Sequence, residues 1–448
     1  MFALVDGNNF YVSCERVFRP ELATRPVIVL SNNDGCAIAR SNEAKALGIK
    51  MGQPWFECRD MERQHGLIAL SANFALYGDM SDRMMSIAGQ YAPRQEVYSI
   101  DESFLSFDGM DRLYHGGLLA TGRALRTKVL QWTGLPTCVG FGPTKTLAKL
   151  ANHIAKTAER KPGSYPVEYA QVFCLACLDP MQRATALAAT DVGEVWGVGS
   201  RIGAKLKARG IKTAHDLARA DAKALRREFS VQLERTVLEL QGTSCINLED
   251  VPPPKQQIAC TRSFGKPALS LTELLEAITE FTARAAEKLR RQTSGASSIT
   301  VFIRTSPFRK DDRQYSRAVT VPLVCPTSST QPLLQAAGAG LRSIYLEGYK
   351  YAGAGVMLND LVLESTEQLD LFGAESATPM HPGTQTKGSC HSTHLMSAID
   401  HLNTRYGRGT VVLGSAGLGG ASRSWSMKRE RLTRQYTTDW TQIPVAVA

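Results

Sequence analysis

No apolar run in the 448-residue sequence approaches the ~20 residues of a membrane-spanning helix. No basic stretch with an apolar core precedes the first strand-like segment, so the expected compartment is the cytoplasm, with no membrane partner. The ten cysteines lack regular spacing, which excludes the disulfide framework of a small secreted domain and favours reduced thiols. Cys174-Leu175-Ala176-Cys177 has no second pair, and Cys390, His391 and His394 sit in a polar segment, so neither group reads as a structural metal site. What is present is ample apolar material: 43% hydrophobic residues, enough for about three ordinary domains with cores of their own. A net charge of +10 favours a polyanionic partner, nucleic acid ahead of an anionic membrane surface.

The chemistry is expected in Val97-Tyr98-Ser99-Ile100-Asp101-Glu102-Ser103-Phe104-Leu105-Ser106-Phe107, where two adjacent acids interrupt β-branched, aromatic and small residues. Neighbours in one strand point to opposite faces, so both acids serve one site only if the run folds back on itself. That gives a hairpin of Val97–Ile100 against Ser103–Phe107 with the carboxylates at its tip. A third acid comes from Phe2-Ala3-Leu4-Val5-Asp6, which alternates as a strand and stops at the turn residues Gly7-Asn8-Asn9. Three carboxylates on neighbouring strand ends suit a pair of hard divalent cations. The plainer alternative is a chance acidic turn.

Along the chain, a helix from Phe10 holds Tyr11 just beyond the acids, with core packing as its other reading. Short strands follow at Pro26–Ser31 and Cys36–Ala39, then a helix at Ser41–Leu47 carrying Asn42 and Lys45 and ended by Gly48. Asn73–Ala92 and Leu118–Trp132 have helical periodicity. Strand Thr137–Phe141 leads through Gly142-Pro143 into a helix reaching Lys156. On it Leu147, Leu150 and Ile154 form the buried stripe, while Lys145, Lys149 and Lys156 share another face. Such lysines are usually solvated, yet Lys156 could lie over a bound triphosphate. In Val195-Trp196-Gly197-Val198-Gly199-Ser200-Arg201-Ile202-Gly203-Ala204-Lys205-Leu206, an apolar-Gly-apolar-Gly turn opens a basic helix. Its free N–H groups suit a DNA phosphate, as in a helix-hairpin-helix motif, the plainer alternative being an ordinary glycine turn. An extended, proline-containing linker (Asn247–Gln257) precedes a second α+β unit rich in Arg and Lys, including Arg262, Lys266 and Arg304. Gln368-Leu369-Asp370-Leu371-Phe372 places apolar side chains in a polar tail, and Leu395–Trp440 reads as a last ordered block.

In this order the pieces resemble a Y-family translesion DNA polymerase, specifically its bacterial UmuC branch. The resemblance implies a multidomain α+β right-hand fold: palm (1–12 and 73–168), fingers (13–72), helix-hairpin-helix thumb (169–240), linker (241–256), α+β little finger (257–365), clamp peptide and flexible linker (366–390) and a partner-binding tail (391–448). It implies Asp6, Asp101, Glu102 and the Gly7 carbonyl as ligands of two Mg2+ ions. Tyr11, Asn42, Lys45 and Lys156 are the implied nucleotide contacts, with Tyr11 as steric gate. Where the wider family usually shows Tyr and Arg, this chain has Asn42 and Lys45, and a lysine cannot make arginine's bidentate fork. Implied DNA contacts are Gly197, Gly199, Ser200, Arg201, Lys205, Arg262, Ser263 and Arg304. Implied partners are primer-template DNA and dNTP, a sliding clamp bound through Gln368–Phe372, a processed UmuD-type dimer and the RecA filament. The expected activity is error-prone translesion synthesis in the SOS response, associated with the nucleoid and without proofreading. A nucleotidyl cyclase shares the carboxylate sheet but not the DNA-directed parts, and a non-enzymatic DNA-binding scaffold has no use for three converging acids.

Overall fold

A computed structural model describes residues 1–110, 117–251, 253–363, 387–407, 409–417 and 425–444, with 387–393 by their backbone alone. The chain forms two compact units, Met1–Pro252 with Arg429–Ala448, and Pro253–Lys428. In the first, β1 (Phe2–Gly7) enters α1 (Phe10–Phe18) through Asn8–Asn9, where Asn9 takes a left-handed φ of 48°. Next come β2 (Val27–Leu30), β3 (Ala37–Arg40), α2 (Asn42–Ala46), α3 (Trp55–Cys58), α4 (Met61–His65) and β4 (Ile68–Ser71), whose strands make a small sheet in the order β3-β2-β4. Ser41 ends β3 and caps α2 by accepting from the Ala44 N–H.

After α5 (Phe74–Ala88), β5 (Arg94–Val97), β6 (Glu102–Ser106), α6 (Gly117–Thr133), β7 (Thr137–Gly142), α7 (Lys145–Arg160) and β8 (Val172–Cys174), the larger sheet is complete in the order β5-β6-β1-β7-β8. Its central β1 is antiparallel to both neighbours and buried along its whole length, as a strand covered on both faces must be. Five short helices follow: α8 (Pro180–Ala188), α9 (Ser200–Ala208), α10 (Ala214–Ala218), α11 (Ala222–Glu228) and α12 (Val231–Leu240). Their apolar faces share a core with Leu147, Leu150 and Ile154 of α7.

Helix α7 owes its close seat on β7 to two residues without side chains. A Cβ on Gly140 would lie 2.1 Å from the Asn152 nitrogen, and one on Gly142 2.5 Å from the Ala148 nitrogen. The buried Asn152 amide then donates to the carbonyls of Leu4 and Cys138, fastening the helix across β1 and β7.

The second unit is a four-stranded antiparallel sheet, β9 (Ile258–Ala268), β10 (Ser294–Thr305), β11 (Ser316–Thr327) and β12 (Tyr351–Leu363) in the order β11-β10-β12-β9. It is backed by α13 (Leu271–Arg291) and α14 (Thr330–Ile344), which supply Phe281, Leu289 and Leu341 to its core. Here α15 (Lys387–Tyr406) is tied to α13 by the Arg290 guanidinium, which donates to both oxygens of Asp400 at 2.7 and 2.8 Å.

Several expectations change. The hairpin exists, but β5 begins at Arg94, residues 98–101 form its turn, and Glu102 opens β6 rather than sitting at the tip. Pro143 lies outside α7, whose N-cap is Thr144. Asn247–Asp250, expected as linker, is held by the first unit: Asp250 takes two bonds from Arg94 and Leu248 is buried. Cys174 and Cys177, expected as reduced thiols, form a disulfide because the turn after β8 brings their α-carbons to 5.4 Å. Leu395–Trp440, expected as one block, divides: Trp425 is buried in the second unit, whereas the chain from Arg429 belongs to the first. Gln368–Phe372 and the Cys390–His391 pair lie outside the residues whose side chains are described.

Gly140→Ala is expected to cost about 1–3 kcal/mol through overpacking against α7. Gly199→Ala, which meets open space, should leave the melting temperature unchanged. Thermal denaturation of the two variants side by side checks this.

Candidate active site

Strand pairing sets the site's geometry. Asp6 lies opposite Glu102 across β1 and β6, and the Gly7 N–H donates to the Asp101 carbonyl at 2.9 Å, drawing the hairpin turn against the end of β1. Asp6 and the distant pair Asp101–Glu102 thus lie at one sheet end. Asp6, Gly7, Tyr11, Lys45, Asp101 and Lys156 line a cavity of about 340 Å3, along with Asn9, Arg40 and Met51.

Each lysine of the α7 stripe meets a carboxylate, so the solvated reading of that stripe fails. Lys145 is only 2% exposed and donates to Glu96 at 2.6 Å. Lys149 grips Glu102 through both oxygens at 2.8 and 2.9 Å and lies over the rings of Tyr98 and Trp196. Lys156, expected over a triphosphate, is ion-paired with Asp6 Oδ2. The other oxygen of that carboxylate, Oδ1, is buried without a partner. Burial pushes the Asp6 carboxyl up to about 7; Lys156 pulls it down, while Glu102 and Asp101 add to the rise.

A divalent cation fits this donor set. The Asp6 orphan oxygen, the neighbouring Asp101 and Glu102 and the Gly7 carbonyl are the hard oxygen ligands such an ion takes. As they stand, the side chains hold lysine ammonium groups in its place. Among the described residues no three His, Cys, Asp or Glu side chains already converge as a metal cluster.

The opposite wall is cationic. Lys45 donates to the Asn9 side chain, which in turn donates to Asn42 Oδ1 at 3.1 Å. Burial, with Arg160, Arg40 and Lys156 nearby, brings the Lys45 ammonium down to about 8. Cations crowded in this way suit a polyanion. Arg40, Arg160 and Asn9 escaped the sequence reading, although Arg160 falls one helical turn beyond Lys156. Tyr11 stacks on Tyr77 at 4.4 Å with planes 16° apart, so the cavity-lining and packing readings of this ring both hold.

The glycine-turn residues sit apart from this cavity. Val195, Val198, Gly203 and Leu206 are buried, while Gly197, Gly199, Ser200, Arg201 and Lys205 face solvent. Gly197 needs its φ of +88°, which glycine adopts without strain. In the second unit, Ser263, Gly353 and Arg304 lie in one row across β9, β12 and β10, with Arg304 donating to Ser263 at 3.0 Å. Arg262, the next residue of β9, lies over the Phe281 ring.

Residues 5–153 match the impB/mucB/samB family, 255–371 its C-terminal domain and 393–446 a domain of unknown function. Protein ImpB of Salmonella typhimurium is 44% identical over 446 residues, covering 100% of this chain and 99% of that protein. Protein UmuC of Salmonella typhimurium strain LT2 is 42% identical, with 99% of each covered. DNA polymerase IV of Pelotomaculum thermopropionicum is 27% identical, covering 91% of this chain and 93% of its own. Among solved structures, a Y-family DNA polymerase chimera of Dbh and Dpo4 superposes with a TM-score of 0.62 at 19% identity, covering 81% of this chain and 100% of the other. An insertion ternary complex of Dbh DNA polymerase gives 0.51 with the same coverage.

Between the ordinary carboxyl value of 3.8 and about 7, folded Asp6 keeps a proton that the unfolded chain has released. Stability contributed by this group therefore falls as pH rises through that window. Asp6→Asn should melt higher than the parent in metal-free buffer at pH 8, by about 2 °C or more, with the gap closing as the pH approaches the lower limit. An equal or lower melting point at pH 8 would count against a destabilised Asp6.

Proposed function

Because the chain belongs to the impB/mucB/samB family, the UmuC branch of the Y-family DNA polymerases, and is thus a DNA-directed DNA polymerase of translesion synthesis, we propose that it extends primers across damaged template by two-metal nucleotidyl transfer at Asp6, Asp101 and Glu102. The observation that carries this reading is the β1–β6 register. It sets Asp6 beside Glu102 and hydrogen-bonds the Asp101 turn to Gly7, beside a cavity that Arg40, Lys45 and Lys156 also line. Family membership implies dependence on divalent metal; its identity as Mg2+ and the number two belong to this proposal.

Asp6, Asp101, Glu102 and the Gly7 carbonyl would hold the ions. When bound, they supply the Lewis acidity that eases loss of the primer 3′-hydroxyl proton and takes up charge on departing pyrophosphate. Lys156 and Lys149, which pair with Asp6 and Glu102, would be released from these carboxylates wherever the acids hold metal. Lys156 then joins Lys45, Arg40 and Arg160 in receiving the triphosphate, with Asn42 and Asn9 orienting Lys45. Tyr11, held flat against Tyr77, excludes a 2′-hydroxyl from the sugar's position by sterics. Base pairing with the template selects the nucleotide.

The domain reading follows the same line. The larger sheet serves as palm, the small sheet as fingers, the α8–α12 helices as thumb and the second unit as little finger. Gly197, Gly199, Ser200, Arg201 and Lys205 offer backbone N–H groups and charge to DNA phosphates. Arg262, Ser263 and Arg304 do the same from the second unit, in sequence-blind contacts that weaken with salt. Gln368–Phe372 serves as a sliding-clamp peptide, and the carboxyl-terminal block meets a processed UmuD-type dimer and the RecA filament. On this reading the enzyme acts in the SOS response at the nucleoid.

Single-turnover extension past an abasic template tests the assignment. Asp101→Ala should lose about 1000-fold in insertion rate, some 4 kcal/mol of transition-state stabilisation, while primer-template affinity stays near that of the parent. A loss below about tenfold would sink it.

Clamp recruitment has its own check. Replacing Leu371 and Phe372 with Ala should remove stimulation by a loaded clamp and leave distributive synthesis unchanged, the behaviour of a short peptide of micromolar affinity. Stimulation that survives the double substitution would exclude this tether.

A further inference from the structure

The region matched to a domain of unknown function ends as a segment laid on the first unit. Its first anchors are on the small sheet. The Arg431 N–H donates to Ser71 Oγ and its carbonyl accepts the Ser71 N–H, both at 3.0 Å. The Arg431 guanidinium grips both oxygens of Glu62 and lies over the Trp55 ring. Farther along, Tyr436 stacks on Phe18 at 4.7 Å with planes 6° apart.

Between these anchors the segment reaches two helices that hold Tyr11. Thr433 Oγ1 donates to Glu15 Oε1 at 3.1 Å. Glu15 lies one helical turn beyond Tyr11 on α1, is fully buried, and takes a second bond from the Tyr77 hydroxyl at 2.8 Å. Tyr77 is the ring on which Tyr11 stacks. Asn73 Nδ2 donates to Thr433 Oγ1 and the Arg434 carbonyl at 3.1 and 3.0 Å. The same Asn73 side chain caps α5 by accepting from the Leu76 N–H, at the start of the helix that carries Phe74 and Tyr77. Phe74 meets both tyrosine rings edge-on.

We propose that Glu430–Tyr436 is a positioning element of the nucleotide site, and that Thr433, acting through Glu15 and Tyr77, sets the Tyr11 ring and with it the enzyme's discrimination between deoxyribonucleotides and ribonucleotides. The proposal rests on the reading of Tyr11 as the sugar-excluding residue. Physically, a flat ring excludes a hydroxyl only if it cannot yield. Tyr11 is restrained by one stacked partner, and that partner's hydroxyl ends on a carboxylate with few other donors: Glu15 Oε2 is buried without a partner. Removing the Thr433 hydroxyl leaves Glu15 with one donor fewer and takes from the Asn73 amide one of its two acceptors, leaving it the Arg434 carbonyl. Both changes loosen the floor under Tyr11 rather than the chemistry above it. The role would be invisible in sequence, since 418 positions separate Thr433 from Glu15.

The test compares insertion of a single deoxyribonucleotide and of the matching ribonucleotide by the full chain, with melting temperatures recorded for every variant. Thr433→Val keeps the shape and drops the hydroxyl; Tyr77→Phe keeps the ring and drops the bond to Glu15; Thr433→Ser restores the donor; Tyr11→Ala is the reference. Thr433→Val and Tyr77→Phe should each raise the ribonucleotide-to-deoxyribonucleotide ratio of kcat/KM by about fivefold, the scale of one hydrogen bond. The change should come chiefly from ribonucleotide insertion, and Thr433→Ser should return the ratio to that of the parent. If Tyr11→Ala relaxes selectivity but Thr433→Val and Tyr77→Phe do not, the segment only stabilises the fold and the inference is overturned, whatever the melting temperatures. If Tyr11→Ala itself leaves selectivity unchanged, the reading of Tyr11 fails first and takes the inference with it.

Discussion

The seat of α7 on β7 is the constraint on which the rest of the site depends. With backbone against backbone at Gly140 and Gly142, the helix lies low enough for Lys145, Lys149 and Lys156 to reach Glu96, Glu102 and Asp6 on the sheet. A helix raised by a single methyl group would lift all three ammonium groups together. The carboxylates at the end of β1 and β6 would then face one another without compensation, a like-charge arrangement that a dry interior tolerates poorly. The three pairs are not equivalent. Lys145–Glu96 is buried, Glu96 also accepts the Glu249 N–H and Lys145 also donates to the Asn247 carbonyl, so the pair is a structural joint between sheet, helix and the chain beyond α12. The other two pairs are less buried on the lysine side, and Lys156–Asp6 lines the cavity.

This arrangement leaves the ligand-free site balanced rather than relaxed. Asp6 is held near neutrality by burial although Lys156 touches it, and Lys45 is depressed by burial among Arg40, Lys156 and Arg160. One group lacks positive charge and the other has too much around it. On the proposed reading, a divalent cation at Asp6 would favour the charged form of the acid, and a triphosphate at Lys45 the charged form of the lysine.

Much of this was legible in the residues themselves. Phe2–Asp6 alternates as a strand and ends in turn formers, and Asp101-Glu102 interrupts an otherwise β-rich run, so the meeting of two strand ends followed from period and turn chemistry alone. The apolar-Gly-apolar-Gly turn separated its buried and exposed residues as its spacing implies. What the chain order concealed was contact at long range. Lys145 reads as one more solvated lysine until Glu96 lies above it, and Glu15 reads as an ordinary helix residue until Tyr77 and Thr433 close over it. Cys174 and Cys177 were misjudged for a related reason, because spacing says nothing of a turn tight enough to bring two thiols together. The division of the carboxyl-terminal block was equally hidden, since its two halves differ in where they pack and not in composition.

The crossing of the chain at Lys428–Arg429 gives synthesis on the ribosome an order of events. All of the first unit's strands and helices up to Pro252 emerge early, yet the segment that covers Ser71, Asn73 and Glu15 follows roughly 180 residues later, an interval of some 10–35 s at ordinary elongation rates. During that interval the second unit is still being made, and Ser71, Asn73 and Glu15 lack the partners that residues 431–434 bring. The nascent polymerase therefore acquires its carboxylate sheet long before the brace beneath its tyrosines, and only a chain translated beyond Tyr436 has both.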